Sequence, residues 1–307
     1  MKEYCLSCGS EELEFWSEAR DIEYFSTEER FTYQRCLFCD ALSISPVPEH
    51  KLAQIYPPNY NSFVSREPSL VERIKEALDR RLFRRLLRPM TKESLTALDV
   101  GGGTGWLLTQ ARRVEPRLSY TLIVDIDTGA EAHALAAGHD YFCGRIEDFK
   151  SEQSFDLILM LNLIEHVRNP VAVLSAVRNL LAPEGRLLIK TPNYDSIDAR
   201  LFRHRNWGGY HCPRHWVLFT PESFSRAAEQ AGLRLLDLQL TQGAPFWSWS
   251  VLHWLADKGL ARVDRNRPMP DHPLLPLLLA GFAAFDFARR PFSKTSQMFA
   301  ILDRLQN

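Results

Sequence analysis

The feature that most constrains the fold is a glycine cluster between a buried strand and a helix. The chain reads LTALDV, then GGGTG at residues 101–105, and Trp106 continues as a helix. Glycines let the backbone turn tightly and approach a ligand closely, and the helix N-terminus behind them presents free N–H groups. The cluster therefore predicts a ligand-binding turn at the carboxyl end of a strand.

Strands and helices alternate after this turn. Further strands are predicted at residues 120–124, 140–143, 155–161, 186–190, 233–240 and 297–302. Helices are predicted at residues 106–113, 129–137, 171–181 and 221–231. Such alternation favours parallel strands joined by right-handed crossovers. We therefore expect an α/β fold with a doubly wound, mostly parallel, seven-stranded sheet.

The glycine spacing distinguishes between nucleotide cofactors. The dinucleotide fingerprint is G-x-G-x-x-G. Counted from Gly101 or from Gly103, the sixth position is Trp106 or Leu108 rather than glycine. A nicotinamide-dependent oxidoreductase is therefore disfavoured.

The observed spacing, Gly101-x-Gly103-x-Gly105 just after Asp99, resembles motif I of the class I S-adenosylmethionine-dependent methyltransferases. Four later segments resemble further motifs of that family in the same order: VDID at 124–127, GRIEDF at 144–149, NLIEHV at 162–167 and PEGRLLI at 183–189. The resemblance covers about residues 95–240. It implies a Rossmann-like fold, S-adenosylmethionine as cofactor and methyl transfer as the activity.

The resemblance also implies roles for particular residues. Asp125 would accept hydrogen bonds from both ribose hydroxyls, and Ile126 would lie against adenine. Arg145 departs from the aspartate that many relatives carry, so Glu147 or a backbone N–H would replace that contact. The backbone carbonyl of Asn162 would face the cofactor's ammonium. The predicted cofactor-binding residues are Asp99, Gly101, Gly103, Gly105, Asp125, Ile126, Glu147 and Asn162.

The acceptor pocket is predicted between the fifth strand and the next helix, where the chain reads WGGYHCPRHW at 207–216. An acceptor hydroxyl or carbon acid needs a base, and histidine is the usual one. His204 belongs to the same histidine-rich stretch, and Arg214 could bind an anionic acceptor. Metal binding by His211, Cys212 and His215, or simple packing of a lid, remain alternatives. The candidate bases are His211, His215 and His166, the last by analogy with the family.

Two Cys-x-x-Cys pairs lie near the N-terminus. Four thiolates can hold tetrahedral zinc, and such an ion would stabilise a segment too small to fold by its own core. The gap between the pairs is longer than in the usual ribbon but can hold a small hairpin. Redox-active or unmetallated thiols are the alternative, and Cys143 and Cys212 are interpreted as ordinary small residues. The predicted structural zinc ligands are Cys5, Cys8, Cys36 and Cys39.

These signals divide the chain into a zinc-ribbon-like segment (1–45), a linker and basic helix (46–90) and a methyltransferase domain (91–307). The last is expected to contain a helical insertion at about 244–292. A zinc-binding head on a methyltransferase body partly resembles the sugar C-methyltransferases that act on nucleotide-activated deoxysugars. Those relatives carry a second large C-terminal domain, whereas only residues 241–307 follow the resemblance here.

Charge and hydropathy limit the partners. Thirty-seven Lys and Arg against 38 Asp and Glu give no global case for nucleic acid. A helix is predicted at 67–90, with an apolar face formed by Leu70, Ile74, Leu78 and Leu82. Five arginines between residues 80 and 88 of this helix form either a solvated face or a site for an anionic group. The apolar run 274–285 is too short to span a bilayer, although contact with a membrane surface stays open. Without an apolar leader, the cytoplasm is the expected location.

The sequence thus favours methyl transfer to a small-molecule acceptor, a sugar or another anionic metabolite. Two other functions stay open. One is a non-catalytic zinc-ribbon scaffold that only binds a partner. The other is an RNA methyltransferase that uses the ribbon and the arginines.

Overall fold

Strands and helices alternate through most of the chain. The computed structural model describes residues 3–57, 60 and 70–305. The strands are β1 (Leu13–Arg20), β2 (Arg30–Cys36), β3 (Leu42–Ser45), β4 (Leu95–Val100), β5 (Leu118–Asp125), β6 (Asp140–Cys143), β7 (Phe155–Leu161), β8 (Leu181–Pro192), β9 (Val217–Leu218), β10 (Leu233–Thr241) and β11 (Gln297–Arg304). The α-helices are α1 (Leu52–Ile55), α2 (Leu70–Leu87), α3 (Trp106–Val114), α4 (Thr128–Ala136), α5 (Pro170–Leu180), α6 (Ile197–Leu201), α7 (Pro221–Gln230), α8 (Ala244–Asp257) and α9 (Leu275–Arg289).

The large sheet contains the seven predicted strands. Within the described residues its order is β10-β11-β8-β7-β4-β5-β6. Strands β8, β7, β4, β5 and β6 pair in parallel, whereas β11 runs antiparallel to both of its neighbours. In β7, Ile158 and Met160 join one apolar cluster while Leu157 and Leu159 join another, so both faces are covered. The predicted doubly wound, mostly parallel sheet is confirmed.

The strand order reverses beside β4. The chain builds β4, β5 and β6 outward in one direction and then returns to place β7 on the other side of β4. The loops that follow β4 and β7 therefore leave the same edge of the sheet on either side of a crevice. Open α/β sheets bind ligands at such a switch point.

One strand is longer than the sequence predicted. β8 begins at Leu181, directly after α5, because Leu181 pairs with Phe155 of β7. The predicted turn at 183–185 lies inside this strand, where the register shifts. At the other end of α5, Asn169 caps the helix by accepting a hydrogen bond from the Ala172 N–H at 3.0 Å.

A second, smaller sheet joins the N-terminal segment to the body. Its order is β1-β2-β3-β9, all antiparallel, with Leu42 of β3 opposite Leu218 of β9. β9 was not predicted, because two residues give no periodic signal. Tyr33 of β2 stacks on Tyr210, and both belong to the apolar cluster that extends into the large sheet. The division into three segments stays a prediction, since the segment 1–45 shares this core.

The apolar face of α2 matches the predicted one only in part, since Leu82 packs on the core as expected. Leu78 is 60% exposed, whereas Phe83 and Leu87 are buried against α3 and the sheet. The side chains of Leu70 and Ile74 and the predicted start at Glu67 lie outside the described residues. The error arose because a stripe through Leu78 and one through Phe83 both have helical spacing. Four arginines of this helix and its end are exposed: Arg81, Arg84, Arg85 and Arg88.

Helices α8 and α9 pack on each other near the C-terminus. Trp247 stacks on Phe282 with ring centroids 5.2 Å apart. The buried Asp286 accepts hydrogen bonds from the Gly243 N–H and from Trp247 Nε1, at 2.7 and 3.2 Å. None of the described helices combines the length and the apolarity needed to cross a bilayer.

Candidate functional site

The glycine turn links β4 to α3 at the crevice. Gly101, Gly103 and Gly105 have φ values of 76°, 51° and 76°, the left-handed region that L-residues adopt only at a cost. A Cβ built on Gly103 meets nothing within 4 Å, so the backbone there faces open space. A Cβ on Gly105 would come within 2.5 Å of His139, so that glycine permits close packing. The turn is thus open at Gly103 and tightly packed at Gly105.

Asp125 stands beside this open space at the end of β5. Its Oδ2 accepts a hydrogen bond from the Gly103 N–H at 2.8 Å, and its Oδ1 accepts one from the Asp127 N–H at 3.0 Å. The next side chain, Ile126, is 58% exposed. The carboxylate and this uncovered apolar side chain therefore border the glycine turn on one side.

Asp99 lies under the turn rather than in the open space. It is 2% exposed, and its Oδ2 has no hydrogen-bond partner among the described residues. A Cβ on Gly102 would come within 2.6 Å of its Cγ. Burial, with the nearby charge of Asp125, raises the pKa of Asp99 to about 7. The position of Asp99 is that of a support beneath the loop.

Two further predicted residues lie on neighbouring loops. Glu147 is exposed on the turn after β6, where the adjacent Arg145 pairs with Glu49 at 3.2 Å. Asn162 follows β7 with a φ of 57°, and its Oδ1 accepts a hydrogen bond from Gln297 Nε2 at 2.9 Å. The same loop reaches the glycine turn, because a Cβ on Gly101 would lie 3.2 Å from Leu163. Asn162 is thus near the turn, whereas Glu147 lies on the side of β6.

The three candidate bases form one cluster. The ring centroid of His215 lies 4.7 Å from that of His166 and 4.9 Å from that of His211. His204 is exposed on a different surface, next to Phe15 and His253. The fold therefore brings together the loop after β7 and the segment before β9, and leaves His204 outside.

His211 is held between an acid and a phenol. Its Nδ1 lies 2.5 Å from Oε2 of Glu23, and its Nε2 lies 3.1 Å from the Tyr60 hydroxyl. A carboxylate accepts, so Nδ1 carries the proton and Nε2 accepts from the phenol. Glu23 is 1% exposed and comes from the N-terminal segment. Sequence reasoning missed it, because no local pattern around residue 23 indicates a partner 188 positions away.

Arg214 has no free face for an anionic acceptor. Its guanidinium is completely buried and pairs with Asp21 at 2.8 Å, while its Nε donates to the Ile55 carbonyl at 2.7 Å. It also lies over the ring of Tyr24, at 4.6 Å from the centroid. The anion-binding role considered for Arg214 is therefore wrong, because its donors already fasten the N-terminal segment to the site.

His166 and His215 share a second buried acid. His215 Nε2 lies 3.9 Å from Oε1 of Glu165, which is buried within the cluster. Burial raises the pKa of Glu165 to about 8 and lowers that of His166 to about 3, and it also lowers the pKa of His215 well below its ordinary value. Both imidazoles are therefore neutral at pH 7. Among the described residues, the metal-ligand type group here is Glu165, His166 and His215, not the set with Cys212.

The four N-terminal cysteines converge. Sγ atoms of Cys5 and Cys39 are 3.5 Å apart, and those of Cys8 and Cys36 are 3.6 Å apart. Each pair ends in the same turn: the residue after the second cysteine, Gly9 or Asp40, has positive φ and donates its N–H to the carbonyl of the first. The four sulfurs lie within 4.8 Å of one another, which suits one tetrahedral ion.

A comparison with protein families shows to which family the part of the chain with the large sheet and the glycine turn belongs. A family model described as a methyltransferase domain matches residues 70–238. The chain belongs to the class I S-adenosylmethionine-dependent methyltransferase family. That match includes β4 to β8 and the loops that carry the glycine turn, Asp125 and the histidine cluster.

Two curated proteins of known name are similar to parts of this chain. The ubiquinone biosynthesis O-methyltransferase of Xanthomonas euvesicatoria pv. vesicatoria is 35% identical over 101 residues, which are 31% of this chain and 42% of that protein. The protein of the same name from Cereibacter sphaeroides is 26% identical over 199 residues, 60% of this chain and 78% of that protein. The chain therefore matches only about two fifths of the length of the first of these relatives.

Solved structures share the fold. Coclaurine N-methyltransferase, bound to N-methylheliamine and SAH, superposes with a TM-score of 0.51 at 13% identity, over 85% of this chain and 82% of that one. The [4+2]-cyclase SpnF superposes with a TM-score of 0.50 at 14% identity, over 79% of this chain and 85% of that one. Identities this low establish the methyltransferase fold alone, and a cyclase shares it.

Proposed function

We propose that this protein transfers the methyl group of S-adenosylmethionine to a small-molecule acceptor. The single observation that carries the proposal is the open space at Gly103 directly beside the Asp125 carboxylate, at the switch point of the sheet. Membership of the methyltransferase family supports it. An oxygen acceptor is favoured by the names of the curated relatives, which are O-methyltransferases.

The residues around this space fit the cofactor. S-adenosylmethionine supplies an electrophilic methyl on a sulfonium when it is bound, and the protein supplies position and environment. Asp125 has the carboxylate that two ribose hydroxyls require, and Ile126 offers an uncovered apolar surface to adenine. Gly103 leaves room for close approach to the backbone. Asp99 would act indirectly, by supporting the turn from below.

His211 is the base that the geometry favours. A carboxylate on Nδ1 orients an imidazole and stabilises the imidazolium that forms when Nε2 takes a proton. Glu23 occupies that position, and the Tyr60 hydroxyl marks where an acceptor hydroxyl would meet Nε2. The acceptor proton would therefore pass to Nε2 of His211. His166 and His215 lack this arrangement, since each uses Nδ1 to contact a backbone carbonyl.

The test uses S-adenosylmethionine labelled with tritium in the methyl group. Purified protein is incubated with a cell extract, and the label is measured in small-molecule, nucleic-acid and protein fractions. Label in the small-molecule fraction, lost with Asp125→Ala, is expected. Nuclease-sensitive label would indicate the RNA methyltransferase instead, and absence of cofactor binding by folded protein would indicate the scaffold.

We also propose that Cys5, Cys8, Cys36 and Cys39 hold one structural zinc ion. Tetrahedral Zn–S bonds of about 2.3 Å place sulfurs about 3.8 Å apart, close to the 3.5 and 3.6 Å that separate Cys5 from Cys39 and Cys8 from Cys36. Chelation should unfold the small sheet and release Glu23 and Asp21 from the histidine site. Metal analysis and far-ultraviolet circular dichroism before and after chelation measure this. A sugar acceptor and a cytoplasmic location remain predictions.

A further inference from the structure

Three buried or half-buried side chains around the histidine cluster offer donor atoms to one point. They are Glu165 and His166, on the one-turn 3₁₀ helix after β7, and His215, just before β9. One ligand atom from each lies within 4.8 Å of the other two. The mechanism proposed above does not use these atoms, because the base is His211.

The hydrogen bonds of the two histidines leave their Nε2 atoms with lone pairs. His215 Nδ1 lies 2.8 Å from the Gly209 carbonyl, and His166 Nδ1 lies 3.0 Å from the Arg214 carbonyl. A carbonyl can only accept, so each Nδ1 carries the proton and each Nε2 is unprotonated. The Tyr56 hydroxyl, 2.9 Å from His166 Nδ1, shares that proton as an acceptor. Metal-binding histidines are oriented in this way, with the other ring N–H donated to a carbonyl or carboxylate.

Glu165 adds an unsatisfied acid. Its side chain is fully buried, and Oε2 accepts a hydrogen bond from Thr191 Oγ1 at 3.0 Å. Oε1 has no hydrogen-bond partner among the described residues and points toward His215 Nε2, 3.9 Å away. That separation is too long for a hydrogen bond. A buried oxygen without a partner is costly, and a cation between Oε1 and the two nitrogens would satisfy it.

We propose that Glu165, His166 and His215 bind one divalent transition-metal ion. Two imidazoles and one carboxylate are a ligand set used by zinc and by non-haem iron, with the remaining positions open to water or substrate. Bonds of about 2.0–2.1 Å at tetrahedral angles require ligand atoms about 3.3 Å apart. Glu165 Oε1 and His215 Nε2, 3.9 Å apart without the ion, would move closer together when it binds. His166 is the half-buried member of the set.

This site is distinct from the cysteine cluster and does not depend on methyl transfer. Metal content can be measured without S-adenosylmethionine, so failure of one proposal leaves the other intact. The donor chemistry also differs, because the cysteine cluster offers four sulfurs and this site offers none.

The experiment compares the wild-type chain with three variants after saturation with zinc and removal of excess ion. Glu165→Gln keeps the shape and the Thr191 contact but removes the carboxyl group that would bind the ion, and His166→Gln removes a half-buried ligand. His204→Gln is the matched control, since His204 is exposed and outside the cluster. Mass spectrometry of the bound metal gives the number of zinc ions per chain. Wild type and the control should each contain one zinc ion per chain more than Glu165→Gln or His166→Gln. Equal content in all four proteins would overturn the proposal.

A cobalt(II) measurement on the wild type covers the case in which a variant does not fold. Cobalt on four thiolates gives intense sulfur-to-metal charge-transfer absorption, whereas cobalt on nitrogen and oxygen gives only weak ligand-field bands. We expect saturation of the second type of band at one further equivalent per chain, with no increase in charge transfer. A titration that shows only the thiolate spectrum would refute the site without any variant.

Discussion

Replacement of Asp125 by alanine tests the cofactor site most directly. The two ribose hydroxyls of S-adenosylmethionine would donate to the Asp125 carboxylate, and a hydrogen bond to a charged group contributes about 1.5–3 kcal/mol. Loss of two such bonds, at the lower figure, removes about 3 kcal/mol, which weakens Kd roughly 100-fold. Asp125 also accepts the Gly103 N–H at 2.8 Å, so the variant loosens the turn itself. This second effect acts in the same direction.

The assay is isothermal titration of S-adenosylmethionine into each variant after circular dichroism has confirmed folding. Asp127→Ala is the matched control, because among the described residues its carboxylate caps α4 by accepting the Gly129 N–H at 2.8 Å. Loss of that cap should lower stability by about 1 kcal/mol but leave Kd within about threefold. If Asp125→Ala binds as tightly as Asp127→Ala, the carboxylate does not hold the ribose and the reasoning fails.

Three other perturbations separate the remaining parts of the site. Gly103→Ala and Gly103→Arg should each lower the free energy of unfolding in urea by about 1–2 kcal/mol, because both place a side chain on a left-handed backbone. Only the arginine variant should abolish cofactor binding in calorimetry. Equal binding by both variants would show that the cofactor does not occupy the space at Gly103. Glu23→Gln should lower kcat for labelled-methyl transfer at least about 100-fold with cofactor Kd unchanged, whereas an unaltered kcat would exclude His211 as the base. Asp99 has a pKa of about 7 in the folded protein, above its unfolded value of about 3.9. Its contribution to folding stability is therefore fully present below about pH 4 and is lost as the pH rises through 7. The free energy of unfolding of Asp99→Asn, relative to wild type, should therefore rise by up to about 4 kcal/mol between pH 4 and 8. Urea unfolding measures this difference, and a difference independent of pH would contradict the raised pKa of Asp99.

The methyltransferase body was predictable because its signals are local. A strand buried on both faces reads as a continuous apolar run, as at 155–161, and a turn with positive φ requires glycine, as at 101–105. The parallel order of the strands then follows from the alternation with helices. The convergence of the four cysteines was indicated by the two Cys-x-x-Cys pairs in the same way.

Local patterns were insufficient where several faces or partners compete. The predicted apolar stripe of α2 placed Leu78 inward, but Phe83 and Leu87 make the contact. Arg214 was interpreted as a free cation, and only the fold shows that Asp21 neutralises it. Both errors have one cause: helical spacing and charge indicate the chemical character of a side chain, but not which part of the fold it contacts.

The sequence by itself determined the α/β class, the glycine turn and the four paired thiols, since each depends on residues a few positions apart. Only the tertiary structure decided that the N-terminal segment supplies Glu23 and Asp21 to the histidine cluster, and that Glu165 faces His166 and His215. Those contacts join residues up to 193 positions apart. Their geometry is set by how β3 meets β9 and how β7 meets β4, and no short-range periodicity encodes it.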